Sequence, residues 1–259
     1  MKTPNLFIIG AQKSGTTYLA KVLAAQPGVF ICEPKEPLFF SRPDIDRAQF
    51  DDYLATNFAE AGDETWVGEG STTYLQWPHA LENLRSFISG TPKFIVCLRQ
   101  PTEKAISFYI HNWRRGRYAP GTRIADTFRL PIGLSPMKTS LYAPSLANWL
   151  AAYPREAFCF LKFDQLKEDP AAFVRTASEF LGIAEPETVL RKMVNAGFGL
   201  SWKGDVLVID DPDAPAENRP EFTRAELEDM HALMQDDIAR TEELTGLDLQ
   251  NWRDFPAFA

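Results

Sequence analysis

Eight residues near the N-terminus constrain this chain more than any others. Gly10-Ala11-Gln12-Lys13-Ser14-Gly15-Thr16-Thr17 follows the apolar run Leu6-Phe7-Ile8-Ile9. It precedes a stretch that places Leu19, Val22 and Leu23 on one helical face and stops at Pro27-Gly28. A strand, a glycine-bounded turn and a helix in that order aim the amides of the turn and of the first helical turn at one spot. The helix dipole stands behind them, so an anion there needs little else. Gly10, Lys13, Ser14, Gly15, Thr16 and Thr17 are therefore the candidate anion-binding residues.

The spacing G-x4-G is that of a phosphate-binding loop, with one departure. The nucleotide-triphosphatase version places Lys directly after the second Gly; here Thr16 stands there and the lysine is inside the loop at Lys13. Metal-dependent phosphoryl transfer also wants a carboxylate at the end of a neighbouring strand. The clearest strand, Lys93 to Leu98, ends instead in Arg99, a planar cation suited to phosphate. Ser107 follows eight residues later, on a helix opened by Pro101. Arg99 and Ser107 are candidates for a second anion, as a cofactor with two separate phosphate groups would require.

The rest of the chain alternates strands and helices. Val29 to Ile31, Thr65 to Glu69 and Ala157 to Leu161 read as strands; Arg47 to Phe58, Pro144 to Tyr153 and the segment from Pro170 to Leu181-Gly182 read as helices. Residues 183–220, rich in Gly, Pro and Asp, are expected to be mostly loop. Thr223 with Glu226 forms a capping box before one long helix, with Leu227, Met230, Met234 and Ile238 inward. Such alternation predicts an α/β fold, a central parallel sheet flanked by helices in three layers, and 259 residues suit a single domain over 1–259.

Charge narrows the partners. Lys and Arg number 27 against 35 Asp and Glu, a net charge of −8, which argues against nucleic acid. No apolar run approaches a membrane span, and Cys32, Cys97 and Cys159 show no metal-ligand spacing. No metal site is expected, and reduced thiols suit a cytoplasmic protein. The one basic cluster, Trp113-Arg114-Arg115-Gly116-Arg117-Tyr118, reads either as a solvated helix end or as the rim of an acceptor cleft. His111, one turn beyond Ser107, is a candidate for the same cleft.

At these residues the sequence resembles the sulfotransferase family that uses 3′-phosphoadenosine 5′-phosphosulfate (PAPS). Ile8 through Thr17 resembles its 5′-phosphosulfate loop, and Leu98-Arg99-Gln100-Pro101 through Ser107 its 3′-phosphate motif. Lys35-Glu36-Pro37-Leu38-Phe39-Phe40 resembles the segment that carries the catalytic carboxylate in the heparan-type and related bacterial branch. The resemblance extends more loosely through Gly68-Glu69-Gly70-Ser71-Thr72. It implies a three-layer P-loop-like fold, PAPS as co-substrate with the bisphosphate PAP as product, and no metal. It implies that Lys13 meets the bridging oxygen of the phosphosulfate and that Glu36 is the base, with Glu69 in reserve. Arg99 and Ser107 would hold the 3′-phosphate. Lys35 would either steer anionic groups of the acceptor or tune Glu36, and Glu69 and His111 would face the acceptor, a carbohydrate, lipid headgroup or small molecule. Arg219 is the candidate for a C-terminal loop over the cofactor, with Lys203-Gly204 its rival. Two departures, Leu38 where glycosaminoglycan-acting relatives carry His and Gly70 where they carry Lys, argue against a highly sulfated polysaccharide. A P-loop kinase using ATP and Mg²⁺ and a non-catalytic nucleotide-binding module are the competing readings.

Overall fold

The computed structural model describes residues 2–186, 199–210 and 219–258. In chain order its principal elements are β1 (Leu6–Gly10), α1 (Thr16–Ala24), β2 (Val29–Ile31), α2 (Arg47–Asn57), β3 (Trp66–Glu69), α3 (Pro78–Phe87), β4 (Lys93–Leu98), α4 (Pro101–Arg114), α5 (Pro136–Ser140), α6 (Ala143–Ala152), β5 (Phe158–Lys162), α7 (Phe163–Glu168), α8 (Pro170–Leu181), β6 (Gly199–Lys203), β7 (Val206–Asp210), β8 (Glu221–Thr223), α9 (Arg224–Ala232) and α10 (Gln235–Thr245). The chain divides into two compact units, Met1–Arg99 with Ser145–Val194, and Gln100–Pro144 with Asn195–Ala259.

The first unit is built on a five-stranded sheet in the order β2-β3-β1-β4-β5, every pairing parallel. Strands β1 and β4 carry unbroken apolar runs, Leu6 to Ile9 and Phe94 to Leu98, because both faces are covered. Leu6, Ile8, Ile95, Cys97 and Leu161 pack one face against Leu19 and Leu23 of α1 and Phe173, Val174 and Ala177 of α8. On the opposite face Phe94 lies between Trp149 and Phe158, with ring centroids 5.2 and 5.0 Å away, and Phe7 stacks on Phe94. Helix α2 starts at a full capping box, Asp46 accepting from the Gln49 amide at 2.8 Å while Gln49 accepts from the Asp46 amide at 2.9 Å.

The second unit contains α4, α5, α9, α10 and an antiparallel sheet β6-β7-β8. The sheet corrects the expectation of loop over 183–220. Lys203 pairs with Val206 across the two-residue turn Gly204-Asp205, with Gly204 at φ 61°. Leu207 and Ile209 are buried on one face of β7. The overall Gly, Pro and Asp content of the segment masked this short alternation. Residues 187–198 and 211–218 lie outside the described part. The helix after Thr223 is likewise two helices. Leu227, Met230, Met234 and Ile238 are all buried as expected, but at Met234 the amide bonds the His231 carbonyl three residues back, and this tightened turn ends α9. Thr223 caps α9 through the Glu226 amide at 3.2 Å, but the Glu226 side chain is spent on the Ala125 amide and Arg123 rather than on closing a capping box.

Among the described residues no helix is long and apolar enough to cross a membrane.

Candidate active site

The loop between β1 and α1 takes the form its glycines allow. Gly10 has φ 154°, Lys13 φ 65° and Gly15 φ 85°, all in the left-handed half of backbone space. The Ala11 amide bonds the Cys97 carbonyl at 2.6 Å, tying the start of the loop to β4. Gly15 caps α1 without a side-chain hydrogen bond, and no acidic residue stands in the first turn. The end of the helix that attracts anions is thus not neutralised by its own sequence. A Cβ at Gly15 would lie 2.6 Å from Leu166 Cδ2, and one at Gly10 would lie 2.9 Å from Leu75 Cβ and 3.2 Å from the Thr72 carbonyl oxygen. Side chains are excluded there and main-chain amides are presented instead. Ser14 and Thr16 are buried within the turn, and Thr17 is half-buried.

Arg99 follows β4, beside the same loop. Its Nη1 reaches the Lys13 carbonyl at 3.4 Å, and its guanidinium lies 4.9 Å from the centre of the Phe163 ring. Ser107 and His111 lie one turn apart on α4, both half-buried. Arg99 and Ser107 fall on opposite sides of the division between the units. Arg219 is half-buried in the second unit, while Glu217 and Asn218 beside it lie outside the described residues. Lys203-Gly204 forms the β6–β7 turn.

Glu36 sits in a segment pinned to the chain that follows β3. Thr72 Oγ1 donates to Glu36 Oε2 at 3.0 Å, and Lys35 Nζ pairs with Glu36 Oε1 at 2.9 Å. The Glu36 side chain remains 36% exposed. Thr72 therefore serves two sites at once: its hydroxyl holds Glu36, and its carbonyl packs against the Cα of Gly10 at the mouth of the loop. Sequence reading passed over Thr72 because nothing local marks it; its partners stand 36 and 62 residues away.

Lys35 lies beside Glu36 and is folded back rather than extended into solvent. Its stem runs across Gly70, and Nζ also donates to the Gly70 carbonyl at 2.7 Å. A Cβ at position 70 would meet that stem at 3.1 Å, so the glycine makes the fold-back possible. Glu69 needs a larger correction. Expected to face the acceptor and to stand in as base, it is fully buried. Its Oε1 accepts from Tyr53 at 2.6 Å and Tyr74 at 2.9 Å, and its Oε2 accepts from Ser71. Burial pushes its carboxyl up to about 7, against the lowering pull of those three hydroxyls and of Lys35.

Comparison with known proteins bears on the family and the fold. Residues 3–241 match the family described as Sulfotransferase domain. The chain is 30% identical over 202 residues to the Mus musculus heparan sulfate glucosamine 3-O-sulfotransferase 6, covering 76% of this chain and 57% of that protein. It is 25% identical over 198 residues to the Homo sapiens bifunctional heparan sulfate N-deacetylase/N-sulfotransferase 2, covering 70% and 22%. The chain thus spans little more than half of the first relative and under a quarter of the second. A sulfotransferase crystal structure from Alicyclobacillus acidocaldarius superposes with a TM-score of 0.74 at 25% identity, covering 98% of this chain and all of that one. The family match runs from the first strand into the last helix, and the fold is shared with a sulfotransferase over nearly its whole length: this chain belongs to the sulfotransferase family.

Proposed function

We propose that the chain transfers the sulfuryl group of PAPS to a hydroxyl of a carbohydrate, lipid headgroup or small metabolite. The observation that carries this reading is the double attachment of Thr72, which sets a partly exposed carboxylate, Glu36, beside the loop that receives anions. The loop suits a phosphosulfate: Cβ atoms are excluded at Gly10 and Gly15, and the N-terminus of α1 has no side-chain cap.

Each residue then has one task. Lys13 offsets the charge that grows on the bridging oxygen as the bond from sulfur to the 5′-phosphate breaks. Glu36 takes the proton of the acceptor hydroxyl as its oxygen forms the new bond to sulfur, in line with the departing phosphate. Arg99 and Ser107 bind the 3′-phosphate, and Arg219 covers the nucleotide. No step asks for a metal ion. Three buried free thiols suit a reducing compartment such as the cytoplasm.

Calorimetric titration with PAP and, separately, with ATP, each with and without Mg²⁺, tests the donor site. Metal-independent binding of PAP, lost in Arg99→Ala, is expected. Preference for ATP with Mg²⁺ would replace this reading with a kinase. Tight PAP binding without transfer to any acceptor would make the chain a binding module. With PAPS and an accepted hydroxyl, Lys13→Ala is expected to lower turnover by ~10²–10³. Glu36→Gln is expected to lower it by ~10²–10⁴ in folded protein.

A further inference from the structure

Glu69 performs no chemistry in that scheme, yet it is the centre of a hydrogen-bond array. Each hydroxyl that binds it from the chain after β3 also holds a backbone amide of the Glu36 segment. Ser71 Oγ donates to Glu69 and accepts from the Leu38 amide at 3.0 Å. Tyr74 OH donates to Glu69 and accepts from the Phe40 amide at 3.1 Å. Around these, the Gly70 amide bonds the Lys35 carbonyl at 2.9 Å, Thr72 bonds Glu36, and Ser41 and Thr73 share a hydroxyl pair at 2.8 Å. Residues 35–41 and 69–74 are joined in register, and Glu69 lies beneath the join.

A hydroxyl has one proton to give. If Ser71 and Tyr74 gave theirs elsewhere, their lone pairs would be aimed differently and the two amides would lose their acceptors. An ionised carboxylate accepts only, so above about pH 7 Glu69 fixes the direction of both hydroxyls. The amide of Leu38 most needs such fixing, because Leu38 is held at φ 57°, which a leucine adopts only when its surroundings impose it. Tyr53 closes the array from α2, donating to the same Glu69 oxygen as Tyr74 while its ring stacks on Phe39 at 4.5 Å.

We propose that Glu69 is a positioning residue for sulfuryl transfer: its buried carboxylate orients the Ser71 and Tyr74 hydroxyls, which hold the Leu38 and Phe40 amides and thereby set Glu36 against its acceptor. The proposal rests on the reading of Glu36 as base. It assigns Glu69 no contact with substrate. A displaced Glu36 slows proton removal while the start of the phosphate loop stays tied to β4 through the Ala11 amide and the Cys97 carbonyl.

The test combines amide hydrogen exchange with steady-state kinetics on Glu69→Gln, which keeps the shape but puts a donor where an acceptor stood. Exchange at Leu38 and Phe40 is expected to rise at least tenfold, with β1 and β4 unchanged. The kcat with PAPS is expected to fall about 10- to 100-fold, with the KM for PAPS and the affinity for PAP within twofold of wild type. Ser71→Ala, which introduces no buried donor, provides the same test should the first variant fold poorly: it is expected to release the Leu38 amide and lower kcat in the same direction. Unchanged exchange at Leu38 in both variants overturns the proposal. So does a fall in PAP affinity that matches the fall in kcat, since that is a general structural loss. Wild-type protein that transfers nothing from PAPS overturns the functional reading instead, and exchange then decides the loop coupling by itself.

Discussion

Gly15 concentrates the requirements of the donor loop into one residue. It holds φ 85°, caps α1, and turns its Cα toward Leu166 and Phe163 so closely that a methyl group would lie 2.6 and 3.1 Å from their side chains. Gly15→Ala therefore combines left-handed backbone strain with overpacking, each costing about 1–3 kcal/mol. A lowered midpoint in urea unfolding at pH 7 and weakened PAP binding are expected together. Binding lost with stability intact would mean that the methyl group blocks the ligand directly, and neither change would remove the loop's packing argument. This residue was legible in the sequence because its whole context is local: strand, turn and helix lie within twenty residues. Glu69 was legible only as a carboxylate after an extended segment. Its partners come from α2 and from the chain beyond β3, and the α/β pattern does not say which helix faces which strand end. The fold-back of Lys35 over Gly70 was hidden for the same reason, although the absent side chain at 70 was plain to see.

Helix α4 illustrates what an element hides when only its periodicity is read. Its periodicity sets Ile106, Tyr109, Ile110 and Trp113 on one stripe; the first three are buried and Trp113 is half-buried. Lys104, which a sequence reader assigns to solvent, is buried as well. Its ammonium donates to the Thr139 carbonyl and lies 5.2 Å from the centre of the Phe108 ring, and burial holds its pKa well below the usual lysine range. A charge removed from water with a carbonyl and a ring for company is a stability cost. Lys104→Met keeps the stem and removes that cost, so it is expected to raise unfolding stability at pH 7 by roughly 1–2 kcal/mol. Lys104→Ala removes the packing too and is expected to lower it. A methionine variant less stable than wild type would show that the amine's bond to α5 outweighs its desolvation. The short β6–β7 hairpin and the break between α9 and α10 were missed for a related reason. Both are decided by a turn of two or three residues, whereas composition and periodicity average over many.

At the scale of the whole molecule two of the buried titrating groups, Glu69 and Lys104, tilt stability in opposite directions, and this reports on whether the two units unfold together. Glu69 is raised from 4.5 to about 7, so between those values the native state binds more protons than the unfolded chain. Its contribution is present in full below about 4.5 and is lost as pH rises through about 7. Lys104 is lowered, so the unfolded chain binds more protons between its native value and 10.5, and stability rises with pH across that range. Glu69 belongs to the first unit and Lys104 to the second. Neither unit is a continuous stretch of chain, and the two passages between them that fall among the described residues have no linker: two residues separate β4 from α4, and α6 runs through the junction at Pro144–Ser145. Boundaries between independent domains fall in exposed, flexible linkers, so a single cooperative transition is expected. Urea unfolding from pH 5 to pH 9, followed by far-ultraviolet circular dichroism and by tryptophan fluorescence, should give coincident curves. Across pH 5–7 the stability difference between wild type and Glu69→Gln should fall by up to about 1 kcal/mol per pH unit. The difference between wild type and Lys104→Met should shrink toward the alkaline end. In the double variant the two effects should add within about 0.5 kcal/mol, as for separate sites in one cooperative structure. Two transitions, one shifted only by Glu69→Gln and the other only by Lys104→Met, would instead establish two independently folding units within the span of one sulfotransferase domain.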